Sequence, residues 1–151
     1  MYLERRNRIA QAVSISVGAQ TGEWTSLHPR ADVAPSYDAA RIIDALAMVR
    51  QAQAEANQYF RRYGGPVAVL EFEDLLADRD IVRLAFERIT QTPLSRVGAP
   101  SLALKSQASP SKKLWEDRFR SETLPFLKQT LPPDHALVSL VDDEIQGQAR
   151  Q

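Results

Sequence analysis

The stretch "GGPVAVLEFEDL", Gly64 to Leu75, constrains the fold more than any other part of the chain. Gly64-Gly65-Pro66 stops a helix and turns the chain. Val67 to Leu70 then forms a continuous apolar run, the mark of a strand buried on both faces, parallel to its neighbours and covered by helices. Glu71, Glu73 and Asp74 mark its exit at the C-terminal edge, and strand alternation puts Glu71 and Glu73 on one side. They read as strand exit and helix capping, with a carboxylate cluster as the alternative. A single strand cannot form a sheet, yet the sequence offers only Met1 to Leu3 as a second. The pattern is therefore α/β with too few strands: mainly helical, with a remnant parallel sheet. The shortage points to a missing segment before Met1.

The helices are clearer. From Asn7 to Gln20, apolar residues fall at Ile9, Ala12, Val13 and Val17, which is helical spacing with Asn7 as the N-cap. Trp24 to Ser36 reads as a loop. Ser36 then caps a long helix from Tyr37 to about Tyr63, striped by Ile42, Leu46, Val49, Ala56, Phe60 and Tyr63. A further helix is expected over Arg79 to Thr90, with Asp78 as cap and Ile81, Ala85, Phe86 and Ile89 inward. Thr92 to Ser109 is loop-like. Ser109-Pro110 is an N-cap followed by a first helical proline, and Leu114, Trp115, Phe119 and Leu127 follow, with Pro125 as a break or kink. The whole of 1–151 reads as one incomplete domain.

Composition narrows the function classes. Lys plus Arg and Asp plus Glu balance at 19 each, so no basic excess argues for nucleic acid. The absence of cysteine removes thiol catalysis, disulfides and Cys-ligated zinc. His28 and His135 lack a regularly spaced companion, so no metal site is expected. No apolar run is long enough to span a bilayer. The N-terminal arginines precede no continuous apolar stretch, which argues against a secretory signal. A cytoplasmic protein is the expectation.

The chemistry gathers at "LERRNRIAQAVSISVGAQTGEW", Leu3 to Trp24. Arg5, Arg6 and Arg8 stand where a helix begins. That end already carries unpaired N–H groups and partial positive charge, so added cations are unfavourable there unless an anion sits among them. The planar guanidinium fork matches phosphate. Ser14 follows Arg6 by eight positions, a little over two turns and roughly 10–12 Å along the axis, so a long Arg and a short Ser can converge on one phosphate. The plain alternative is three solvated arginines and a tolerated small serine.

"RNRIAQAVS" resembles the 3′-phosphate-binding segment of sulfotransferases, where Arg and Ser are separated by eight. The longer "RRNRIAQAVSISVGAQTGEW" is similar to the bacterial carbohydrate sulfotransferases typified by trehalose 2-sulfotransferase. "YDAARIIDAL", "GGPVAVLEFEDLLAD" and "LKSQASPSKKLWEDRF" extend the resemblance to about Arg120. It implies a partial P-loop-like α/β fold, the donor 3′-phosphoadenosine-5′-phosphosulfate, and sulfuryl transfer to a sugar hydroxyl. By resemblance, Arg6 and Ser14 hold the donor's 3′-phosphate, and Lys105 and Gln107 match the family's C-terminal donor-side loop. Gln20 and Trp24 lead into a loop suited to line the acceptor site, with Trp24 as a sugar-stacking ring. Packing is the alternative for Trp24, and a solvated basic face for Lys105, Lys112 and Lys113. Trp115 reads as core and Arg118 as structural.

Two departures stand out. The family's strand–loop–helix for the 5′-phosphosulfate, rich in Ser, Gly and Arg, has no counterpart here, and the acidic general base belongs to that same part. No catalytic residue is assigned, and the chain is expected to be the C-terminal portion of a sulfotransferase domain, inactive alone. A second expectation is a non-catalytic helical interaction module derived from a sulfotransferase, self-associating through an incomplete sheet. The smaller departure is Asn7, where that branch commonly has Asp.

Overall fold

The computed structural model describes residues 1–24, 33–78, 80–94, 109–139 and 141–142. The chain is mainly helical with a small parallel sheet, as the sequence implied. It divides into two compact units. The first comprises Met1–Arg6 and Ala54–Lys105, the second Asn7–Gln53 and Ser106–Gln151.

The first unit holds the sheet. Strands β1 (Tyr2–Glu4) and β2 (Val69–Glu71) pair in parallel, with Tyr2 opposite Val69 and Glu4 opposite Glu71. The expected two-sided burial does not occur: Leu70 is buried, but Val69 is 52% exposed. Among the described residues, none covers Val69 enough to bury it. β2 also starts later than its apolar run and ends at Glu71. There α3 (Phe72–Ala77) begins at once, a short helix the sequence reading did not separate from the strand exit. Strand alternation therefore does not apply to Glu73, which stands with Asp74 in the first turn of α3.

Asp78 then serves α4 (Asp80–Thr90) as expected, its side chain accepting the Asp80 N–H at 2.9 Å. α4 is amphipathic, yet none of its residues is fully buried, and Phe86, expected inward, is 38% exposed. A hollow of about 560 Å³ lies between Val67–Leu70 and the Ile81, Leu84, Ala85 and Ile89 side of α4. Gln91, at φ 54°, ends the helix in the left-handed conformation.

The second unit has a closed core. α1 (Arg8–Thr21) contributes Ile9, Ala12, Val13 and Val17, all four of the expected inward residues. Gly22, at φ 70°, closes α1 by donating to the Gly18 carbonyl. Ile42, Ala45 and Leu46 of α2 (Ala39–Tyr63) join that core. Asp38, not Ser36, caps α2: its carboxylate accepts from the Arg41 N–H at 3.1 Å. Beyond Gln53, α2 belongs to the first unit. There Phe60 packs edge-on against Tyr2, with ring centroids 5.3 Å apart, while Tyr63, expected inward, is 58% exposed.

α5 (Pro110–Arg118) starts as read, with the Ser109 hydroxyl accepting the Lys112 N–H at 3.3 Å. Trp115 is buried, whereas Leu114 is 66% exposed, because adjacent helical positions point about 100° apart. The expected break at Pro125 is a wide π turn, Phe119–Thr123, leading into α6 (Leu124–Thr130). Leu124 N–H reaches back five residues to Phe119, which makes room for a proline ring that offers no donor. Phe119, Leu124 and Leu127 complete the core. Residues 136–139 and 141–142 are helical, and Val141 is buried. Among the described residues, no helix is long and apolar enough to cross a membrane.

Candidate functional site

The two strands run parallel, so their C-terminal ends leave at the same edge, which is where open α/β sheets place their ligand-binding groups. The register puts Glu4 opposite Glu71. Two residues further on, Arg6 meets Glu73: the Arg6 backbone N–H donates to Glu73 Oε2 at 3.0 Å. The Arg6 guanidinium turns to the same edge. Its Nη2 donates to Glu71 Oε2 and to Asp74 Oδ1, the latter at 3.0 Å. Hydrogen bonding to Glu71 first, then to Asp74, holds the Arg6 guanidinium above its ordinary value, so it stays a cation at every accessible pH. Arg5 lies over the Phe72 ring, with its guanidinium carbon 4.7 Å from the centroid.

Glu71, Glu73 and Asp74 are the partners that sequence reading missed, since more than sixty residues separate them from Arg6. The signal was present nonetheless. A strand leaving into arginines and a parallel strand leaving into carboxylates must bring opposite charges to one edge.

Asn7 opens α1. Its Oδ1 accepts the Ala10 N–H at 2.9 Å, the expected cap, and also accepts from Arg120 Nη2 at 3.0 Å. Its Nδ2 donates to Glu116 Oε1 at 2.8 Å, and Arg120 donates to the same oxygen from Nε and Nη2 at 3.2 and 3.1 Å. Glu116 is only 7% exposed. This accounts for Asn at position 7: an Asp would cap the helix equally well but could not donate to the Glu116 carboxylate.

Ser14 lies half-buried on α1. The Gln20 amide pairs with the backbone of Ser36 in both directions, accepting from its N–H at 2.9 Å and donating to its carbonyl at 3.1 Å. Gln20 thus ties the end of α1 to the approach to α2. Trp24 lays its ring against Gly18, where a Cβ would come within 2.9 Å of the indole. It is nonetheless 55% exposed.

Lys105, Gln107 and His28 lie outside the described residues. Lys113 pairs with Asp117 at 2.8 Å. Arg118 pairs with Glu122 at 2.9 Å and covers the Tyr37 ring at 4.3 Å, a structural position as expected. His135 Nδ1 accepts the Leu137 N–H at 3.2 Å.

The family model of the Stf0 sulphotransferases matches residues 1–122. The chain belongs to the Stf0 sulphotransferase family. No curated protein and no solved structure matches it. The Stf0 match begins with β1 and runs through both units into the π turn. It therefore takes in Arg6, Ser14, Gln20 and Trp24, the acidic exit of β2 and the Trp115–Phe119 segment.

Proposed function

We propose that this Stf0-family chain binds the 3′-phosphoadenosine part of a sulfuryl donor, 3′-phosphoadenosine-5′-phosphosulfate, and serves sulfuryl transfer to a carbohydrate hydroxyl. The observation that carries the reading is Arg6 at the exit of β1, immediately before the cap of α1, with Ser14 eight residues on, in a chain the family model matches over 1–122. A guanidinium offers two parallel donors to phosphate oxygens and a serine hydroxyl adds a third. Arg6 and Ser14 are the proposed 3′-phosphate ligands, and Lys105 and Gln107 the further donor-side residues. The open face of Trp24, with Gln20 beside the same loop, is proposed for the sugar, since an aromatic ring suits the apolar face of a pyranose. In-line transfer calls for positive charge at the departing phosphate oxygen and a base for the acceptor proton. No residue of the chain is assigned to the base, and sulfuryl transfer by this chain alone is expected to be negligible.

Titration of the folded chain with adenosine 3′,5′-bisphosphate, against adenosine 5′-monophosphate, tests the donor reading. Tighter binding of the bisphosphate is expected. No binding at millimolar ligand by a chain whose circular dichroism shows it folded would remove the reading. Robust sulfation of trehalose or another sugar by the chain alone would overturn the expectation of inactivity.

A second reading, a non-catalytic module that self-associates, is favoured by the half-exposed Val69 and the apolar hollow beside β2. Light scattering after size exclusion separates it from the first, because a stable monomer argues against self-association.

A further inference from the structure

We propose that Glu71 and Asp74 keep the Arg6 guanidinium closed, so that the 3′-phosphate of the nucleotide binds by displacing carboxylates from it. The inference rests on the donor reading above and deepens it by naming what regulates the site. A guanidinium meets a two-oxygen ligand along one of two edges, Nε with Nη2 or Nη1 with Nη2, because Cδ blocks the third side. Nη2 belongs to both edges. It is this nitrogen that donates to Glu71 Oε2 and to Asp74 Oδ1. The two acids therefore close both forks at once, and a phosphate gains its paired bonds only by taking that nitrogen over.

The surroundings permit the exchange. The side chains of Arg6, Glu71 and Asp74 are 51%, 41% and 48% exposed, so a carboxylate released from Arg6 returns to water rather than staying buried and unpaired. Glu73 holds the Arg6 backbone N–H at 3.0 Å. That contact does not use the guanidinium, so the main chain stays held while the side-chain tip changes partner. Both effects of the acids on the ligand have the same sign. Each occupies the nitrogen that the phosphate needs, and each sets negative charge beside an incoming anion. Neutralising either acid therefore tightens the nucleotide. The scale is that of one exposed ion pair, a factor of about three.

Calorimetric titration of the full chain, wild type against Glu71→Gln, Asp74→Asn and the double variant, tests this with adenosine 3′,5′-bisphosphate and adenosine 5′-monophosphate as probes. Both replacements keep the shape of the side chain and turn a charge-assisted bond into a weaker neutral one. Each single substitution is expected to tighten the bisphosphate about threefold and the pair together about tenfold, with the monophosphate unchanged. In an Arg6→Ala background the gain should largely disappear. An undiminished gain there would mean that the acids act by charge alone, and would overturn the proposal. So would unchanged or weaker binding of the bisphosphate by the variants, or an equal change for both nucleotides. If neither the wild type nor any variant of the two acids prefers the bisphosphate, the donor reading itself fails. If the wild type prefers it and the variants bind it no more tightly, the donor reading stands and this proposal alone falls. A ligand-free readout stands beside these. By nitrogen-15 NMR the Arg6 guanidinium should rotate more slowly in the wild type than in the variants, and equal rotation would also overturn the proposal.

Discussion

Arg6 and Asn7 are neighbours in sequence, but each belongs to a different unit and the two are held in opposite ways. Arg6 pairs with Glu71 and Asp74 while remaining half-exposed. Asn7 joins Glu116 and Arg120, whose side chains are only 10% and 15% exposed. The surroundings follow suit. The second unit closes a core in which Ile9, Ala12, Ile42 and Phe119 lose all contact with water. The first has Leu70 as its buried apolar residue among those described. The amphipathic helix α4 stands there without a fully buried side chain. One unit therefore closes a buried core, while the other keeps its charge pairs at the surface. A half-exposed pair such as that of Arg6 separates at less cost than the nearly buried one of Glu116 and Arg120.

The sharpest way to break this contrast is a pair of core truncations. Phe119→Ala should cost about 4 kcal/mol, the range for a fully buried aromatic. Leu70→Ala should cost about 2 kcal/mol, the low end for leucine, because Leu70 borders a hollow rather than a packed wall. Urea unfolding followed by circular dichroism measures both. Equal costs would mean that the first unit is as tightly packed as the second.

Next in size is the buried network. Glu116→Ala leaves Arg120 without its carboxylate at a site where it is 15% exposed, and a loss of about 3 kcal/mol is expected. Asn7→Asp keeps the cap but faces one carboxylate with another. A smaller loss, about 1 kcal/mol at neutral pH, should shrink as acid protonates one of the pair. If Asn7→Asp is neutral at pH 7, the Asn7–Glu116 hydrogen bond is not what selects asparagine.

The sequence showed these two units unequally, for physical reasons. α1, with its cap and all four inward residues, was readable because its periodicity and its cap are local and its face is buried. The start of α5 at Ser109-Pro110 was readable on the same grounds. The stripe of α2 is buried at Ile42 and Leu46, half-buried at Val49, Ala56 and Phe60, and fails at Tyr63, because periodicity marks a face that can be covered, not one that is. The apolar run Val67–Leu70 indicated a parallel strand correctly and its burial wrongly, since burial depends on layers that a local pattern does not contain. At the candidate site, Arg6 and Ser14 stand out in the sequence only through spacing and family resemblance. Glu71, Glu73 and Asp74 were read as strand exit and capping because their partner lies at the far end of another strand. Combining the parallel direction with the charge of each exit would have joined them.

The smallest predicted effect concerns the end of α4, where surface bonds replace burial. Glu87 Oε1 accepts the Leu94 N–H at 2.8 Å and pairs with Arg83 Nη1 at 2.7 Å. These contacts, the Leu94 bond first, hold the Glu87 carboxyl below its ordinary value of 4.5. The linkage follows from that direction: the ionised form is favoured in the folded chain, so its contribution is complete above the unfolded value and is lost as pH falls through the lower folded one. The Leu94 amide proton, followed by NMR, should titrate below pH 4.5 in the wild type and stay flat in Glu87→Gln. Global unfolding should hardly change, because the bond is local and lies at the end of a helix with no fully buried residue. Titration of that amide at the ordinary carboxylate value would mean that the Glu87–Leu94 bond does not persist in solution. The segment after α4 would then keep its Thr92–Thr90 bonds but lose the tie from Leu94 back to Glu87.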